Sequence, residues 1–197
     1  MYTVQIGETG MNVIFTGVGG QGVILAGKVL MDVALSSGYD IKESEVHGMA
    51  QRGGTVDCCI RFDKKVYSPL IELGTADYIV SFEMLEVMRK LDYLAPGGAV
   101  IVNKLTMDPA PVQTGAMKYP TDIEEWLSAN IKRSQVVDTE PVLKEIGSKK
   151  SLNIVMIGAL SKHLEFSDEQ WKAAITKHVK PKVLDTNLQA FELGRAL

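Results

Sequence analysis

The chain has 197 residues, enough for one sizeable domain or two very small ones, and a single α/β unit fits this length best. Apolar residues make up 46% and charged residues 23%, a balance that excludes disordered, collagen-like and fibrous chains. Lysine and arginine number 21 against 24 aspartates and glutamates, a net charge of −3, so no basic excess exists to grip a nucleic-acid backbone.

Cys58 and Cys59 are adjacent and are the two cysteines of the chain, which excludes a disulfide framework and a four-cysteine metal or cluster site. The opening MYTVQIGETG lacks the basic and apolar regions of a secretory signal. The charge-free stretch over residues 11–27 holds five glycines and is too broken for the roughly 20 apolar residues of a membrane span. A cytoplasmic protein with no membrane or nucleic-acid partner is expected.

In chain order, residues 12–16 form a short apolar run ending at a glycine cluster. Residues 23–36 then place apolar side chains at helical spacing, so strand, tight loop and helix are predicted. Gly38 stops the helix, residues 39–43 read as a short strand, and SEVHGMAQRGG over residues 44–54 reads as a polar loop. Residues 55–62 are rich in β-branched and apolar types and, through FDKK, pair with Val66 and Tyr67 as a predicted hairpin. A strand over 77–82, a helix to Tyr93, the turn APGG and a strand over 99–103 follow. After an irregular proline-rich stretch, Thr121 and Glu124 form a capping-box pair opening a helix to about Asn130. Residues 135–137 read as the last strand. Beyond Pro141 the pattern is helical, with an apolar segment over 152–164, a second capping box at Ser167 and Gln170, and a final helix after Pro181. The expected architecture is a three-layer α/β/α, Rossmann-like open sheet, mostly parallel with an antiparallel hairpin. It forms one domain over 1–197, with an α/β core over 1–138 and a helical extension over 139–197.

Gly17, Gly19 and Gly22 satisfy G-x-G-x-x-G between a strand and a helix, where backbone N–H groups can face an anion at the helix N-terminus. A dinucleotide is one reading, with Glu43 placed roughly where a ribose-binding acid sits. The alternative is that these glycines only let the helix pack, with no nucleotide. The long loop and hairpin that follow depart from a regular dinucleotide-binding unit.

The second loop mounts Glu45, His47, Gln51 and Arg52 among Gly48, Gly53 and Gly54. Arginine clamps carboxylate or phosphate through a planar fork, and histidine titrates near neutral pH. An exposed Arg52 to Glu45 ion pair and a solvated His47 form the competing reading. Ser81, Phe82 and Glu83 end a strand and either line the same crevice or serve as helix caps.

Taken together, GVGGQGVILAG and ESEVHGMAQRGGTV resemble the gamma-type subunit or domain of 2-oxoacid:ferredoxin oxidoreductases. The His-Gly-Met-Ala-Gln-Arg-Gly-Gly form is most similar to the small beta subunit of indolepyruvate:ferredoxin oxidoreductase. The likeness continues through VSFEMLEVMR, LAPGGAVIVN, NIVMIGALSK and KVLDTNLQAFELG, covering essentially the whole chain. It implies the oxidative decarboxylation of an arylpyruvate with coenzyme A as co-substrate, giving arylacetyl-coenzyme A, CO2 and two reduced ferredoxins. It also implies that thiamine diphosphate, Mg2+ and 4Fe–4S clusters reside in a larger alpha subunit, since this chain carries no Gly-Asp-Gly thiamine signature and cannot ligate a cluster. On this reading the site positions are Gly17, Gly19, Gly20, Gln21 and Gly22, then His47, Gln51, Arg52, Gly53 and Gly54.

Two other functions remain open at this point: a stand-alone NAD(P)-binding dehydrogenase or regulator, and a purely structural clamp. The nine methionines are scattered and read as core, and His163 and His178 lack companions at metal-ligand spacing. Cys58 and Cys59 point to opposite faces of their strand. An unpaired subunit leaves an apolar face exposed, expected on the C-terminal helices, through which the isolated chain would form a homodimer.

Overall fold

The computed structural model describes residues 10–48 and 53–197. Among these, six strands form one mixed sheet of order β2-β3-β1-β4-β5-β6: β1 (Met11–Val18), β2 (Asp40–His47), β3 (Thr55–Asp63), β4 (Ala76–Ser81), β5 (Leu94–Asn103) and β6 (Ser134–Val137). β1, β4, β5 and β6 are parallel neighbours, whereas β3 runs against both β1 and β2. One face is covered by α1 (Val23–Ser36), α6 (Leu152–Ser161), α7 (Asp168–His178) and α8 (Leu184–Ala196). The other carries α2 (Met84–Met88) and α4 (Ile123–Asn130), with the short α3 (Ala110–Gln113) and α5 (Glu140–Glu145) in the connections.

Period-two alternation divides the core. Phe15, Cys58, Tyr78 and Val80 point toward α1 and α6, while Ile14, Cys59, Ile79 and Val102 point to the opposite face. The opposed orientation expected for Cys58 and Cys59 is therefore present. α6 is buried along all ten residues, because α8 crosses it with almost no separation. A Cβ at Gly158 would overlap the Phe191 carbonyl oxygen, and one at Gly194 the Val155 carbonyl oxygen. The apolar surface of α6, in the region expected to remain open, is thus covered within the chain.

Several boundaries differ from the sequence reading. β2 continues through Ser44–His47, a stretch read as loop, because an edge strand bonds through its backbone to β3 and needs no apolar alternation. The hairpin is accordingly β2–β3. Val66 and Tyr67 form no strand, being held instead by Asp40, which accepts from the Val66 N–H (3.0 Å), and by Arg61, which donates to the Ser68 and Leu70 carbonyls. The helix after Phe82 stops at Met88 and gives way to a 3₁₀ turn over Leu91–Tyr93. At α4 the cap is Asp122, and Thr121 forms no box with Glu124, whose carboxylate is drawn 2.8 Å from Lys104. The second capping box does form: Gln170 N–H donates to Ser167 Oγ, and Ser167 N–H donates to Gln170 Oε1.

Candidate functional site

The strand order brings the two sequence-predicted loops together. Val18 at the end of β1 lies opposite Thr55, and β2 ends beside it at His47, opposite Val56. The Gly19 N–H donates to the Gly54 carbonyl (2.9 Å), and the Gly48 N–H donates to the Thr55 carbonyl (2.7 Å). Gly53 turns the chain with φ +75. His47 is exposed, its Nε2 3.9 Å from the Glu45 carboxylate. Gln51 and Arg52 lie outside the described residues, as does any pairing of Arg52 with Glu45.

The first loop is locked by its own side chain. Gln21 Oε1 accepts from the Val18 N–H (2.6 Å), while Nε2 donates to the Phe82 carbonyl (3.1 Å) and reaches the Met107 sulfur (3.6 Å). Both ends of this amide are therefore occupied internally. Gly17 has no room for a side chain, since a Cβ would sit 2.7 Å from Gln21 Oε1 and 2.9 Å from Phe82 Cβ. Gly22 adopts φ +82 as the cap of α1, without any side-chain cap bond. Gly20, at φ +99, faces open space. The solvent-facing part of the loop is thus backbone at the start of an uncapped helix, an arrangement suited to an anionic group.

Polar groups that the sequence reading passed over support this edge from beneath. Thr16 Oγ1 donates to Asp57 (2.6 Å), whose other oxygen is 2.5 Å from Lys90 Nζ, and both Thr16 and Asp57 are buried. Glu83 is the α2 cap: its carboxylate accepts from the N–H groups of Leu85, Glu86 and Met107 and from the Tyr119 hydroxyl (2.5 Å). Burial, then the adjacent Glu83 carboxylate, raises the Tyr119 hydroxyl well above its usual range. Asn103 Nδ2 donates to the same Phe82 carbonyl that Gln21 uses (3.1 Å), and Thr139 donates to Asn103 Oδ1. Ser81 Oγ donates to the Glu83 carbonyl. Polar residues closing apolar strands were the available signal for this network, and Ser81 and Glu83 carried it; Met107 and Tyr119, which reach the Glu83 carboxylate, are distant in sequence.

The sulfur chemistry does not suit a cluster. Cys58 is wholly buried and donates to Glu43, burial raising its thiol first and the Glu43 charge second, while Cys59 faces the other side of the sheet and is also raised by burial. Two neutral thiols on opposite faces cannot ligate one iron centre. Nor does Glu43 serve a dinucleotide. It pairs with Ile60, which pairs with Val13, so it sits mid-strand, one strand removed from β1 and short of the glycine loop.

A mixed sheet with its reversed strand beside β1, and two glycine loops bonded at the parallel strand ends, define the class. The chain belongs to the pyruvate ferredoxin/flavodoxin oxidoreductase family, which it matches over residues 12–197. Among its relatives is the indolepyruvate oxidoreductase subunit IorB of Thermococcus kodakarensis, 40% identical over 188 residues and covered to 93% in each chain. The 2-oxoglutarate synthase subunit KorC of Methanothermobacter thermautotrophicus is 30% identical over 96% of each chain. The fold matches the gamma subunit of a keto/oxoacid ferredoxin oxidoreductase from Geobacter sulfurreducens, with TM-score 0.70, 20% identity and 94% of each chain covered. It also matches 30% of a 2-oxoglutarate:ferredoxin oxidoreductase chain from Magnetococcus marinus, at TM-score 0.72 and 21% identity. Among the described residues no helix is long and apolar enough to cross a membrane.

Proposed function

We propose that this chain is the cofactor-free small subunit of an indolepyruvate-type 2-oxoacid:ferredoxin oxidoreductase, acting as one domain in the cytoplasm. The complex converts an arylpyruvate and coenzyme A to arylacetyl-coenzyme A and CO2, reducing ferredoxin. Thiamine diphosphate, Mg2+ and 4Fe–4S clusters belong to the larger partner subunit, where thiamine diphosphate supplies the electron sink for decarboxylation. This chain presents Gly17, Gly19, Gly20, Gln21 and Gly22, with His47, Gln51, Arg52, Gly53 and Gly54, as one wall of the shared site. The single observation that carries this reading is the Gly19 to Gly54 hydrogen bond, which joins the two motifs into one edge. The 40% identity to an IorB subunit supports the arylpyruvate assignment. Leu105 and Met107 are exposed beside this edge; the larger subunit covers them in the complex, and the isolated chain self-associates through them.

The test is purification of the tagged chain from its native cells without oxygen, followed by an assay for arylpyruvate- and coenzyme A-dependent viologen reduction. Recovery of a larger iron–sulfur protein with that activity is expected. A lone, colourless chain that binds NAD would instead support the dehydrogenase reading. In the assembled complex, Arg52→Ala should lower turnover and leave association intact. Altered assembly with unchanged kinetics would reduce the loop to a clamp.

A further inference from the structure

A second concave feature lies where the middle of β5 meets the N-terminal end of β6. It is a cavity of about 280 Å³ whose lining includes Ala99, Ile101, Arg133, Gln135, Lys162 and His163. Ala99 and Ile101 are buried and form an apolar floor. The Arg133 guanidinium is fixed in place: Nη1 donates to the Gly97 carbonyl (3.0 Å), Nη2 donates to the Tyr78 hydroxyl (3.3 Å), and the group lies 5.7 Å from the Tyr78 ring centre. The Tyr78 hydroxyl in turn donates to the His163 carbonyl (3.3 Å).

Three basic groups therefore converge on one partly buried cavity. Among the described residues none of the three is ion-paired with a carboxylate. His163 Nε2 is buried without a hydrogen-bond partner among the described residues. Burial lowers the Lys162 ammonium below its usual range. Burial, then Lys162 and Arg133, lowers the His163 imidazole. Asp77 feels the Arg133 charge without pairing with it, so like charges gathered in low dielectric repel one another, and an anion seated among them relieves that repulsion.

We propose that this cavity binds a small monocarboxylate with an apolar body, its carboxylate among Arg133, Lys162 and His163 and its body against Ala99 and Ile101. The 280 Å³ available is many times the space one water needs and has room for a compact organic acid. A phosphate ester would set further charged oxygens against a floor that offers no donor, which is costly. Besides the three basic groups, the polar side chains of the lining are Ser134, which donates to the Leu127 carbonyl (3.4 Å), and Gln135, whose Nε2 reaches the Leu197 main-chain oxygen (3.4 Å). Asp77, held by the Asn12 N–H (2.8 Å), is the carboxylate that feels the Arg133 charge. The bound anion favours protonated His163, so a proton is taken up with the ligand and affinity rises as pH falls through the histidine range.

Calorimetric titration of the full chain with phenylacetate tests this. Saturable binding is expected, tighter at about pH 5.5 than at about pH 8, with none for the uncharged isostere phenylacetamide. Lys162→Gln, at a half-exposed position, should weaken binding about tenfold, and His163→Gln should abolish the pH dependence. With circular dichroism confirming that each variant is folded, the proposal is overturned by absence of saturable phenylacetate binding. Equal binding of phenylacetamide, or unchanged binding by Lys162→Gln, also overturns it. Binding of inorganic phosphate in place of phenylacetate does the same.

Discussion

The glycine loop and the α6–α8 crossing both depend on glycine, for opposite physical reasons. In the loop, Gly20 and Gly22 take left-handed φ values of +99 and +82, and Gly20 has open space where a side chain would stand. Between α6 and α8, Gly158 and Gly194 have ordinary helical backbone, and what forbids a side chain is the facing helix backbone itself. A loop can relax around a methyl group, whereas two packed helices must move apart along their length. Gly20 is therefore open to substitution at a conformational cost, and the helix crossing is not.

Gly158→Val should produce the largest loss, about 4 kcal/mol, or about 8 to 16 °C in Tm by calorimetry for a chain of this size. A smaller loss than that from any loop variant would invert the comparison. Lys90→Met leaves the buried Asp57 carboxylate without its partner and should cost about 3 kcal/mol, read by urea unfolding, because it removes the support beneath the loop edge. Gly20→Ala should cost only about 1 kcal/mol, the penalty of a left-handed residue. On the proposed function, in which this stretch of backbone faces the shared site, turnover of the assembled complex should fall further than stability. The smallest effect concerns pH. Burial holds the Glu86 carboxyl above its usual range, with the Thr55 hydrogen bond and Arg89 opposing. A group whose folded pKa is raised stabilises below its unfolded pKa, and that contribution is lost as pH rises through the folded value. Glu86→Gln should accordingly flatten the fall in stability above about pH 4, where carboxylates ionise. An unchanged pH profile would remove Glu86 from the titration.

Much of this was legible in the residues. The β1, glycine loop and α1 unit was readable because apolar strand, glycines and helical spacing follow one another without interruption, and helix bounds Val23–Ser36 emerged as expected. The Ser167 and Gln170 box was readable because it is local. The Thr121 and Glu124 pair has the same pattern yet fails, since Lys104, distant in sequence, attracts Glu124 more effectively. β2 was cut short because its outer half is polar, which is what an exposed edge strand tolerates. At the site, the glycines and Gln21 were identified, whereas the inward use of the Gln21 amide was not: Phe82 and Met107 are 61 and 86 residues away.

The sequence by itself determined the β1, loop and α1 unit, the two motifs, the opposed cysteines and the resemblance to the family, because each is written in local spacing or local residue identity. Only the tertiary structure decided that β3 reverses beside β1, which places both loops at one edge and leaves Glu43 away from it. It alone gathered Arg133, Lys162 and His163 around one cavity. Strand order and long-range pairing are set by which faces bury best against each other, a property of the whole core that no window of the chain contains.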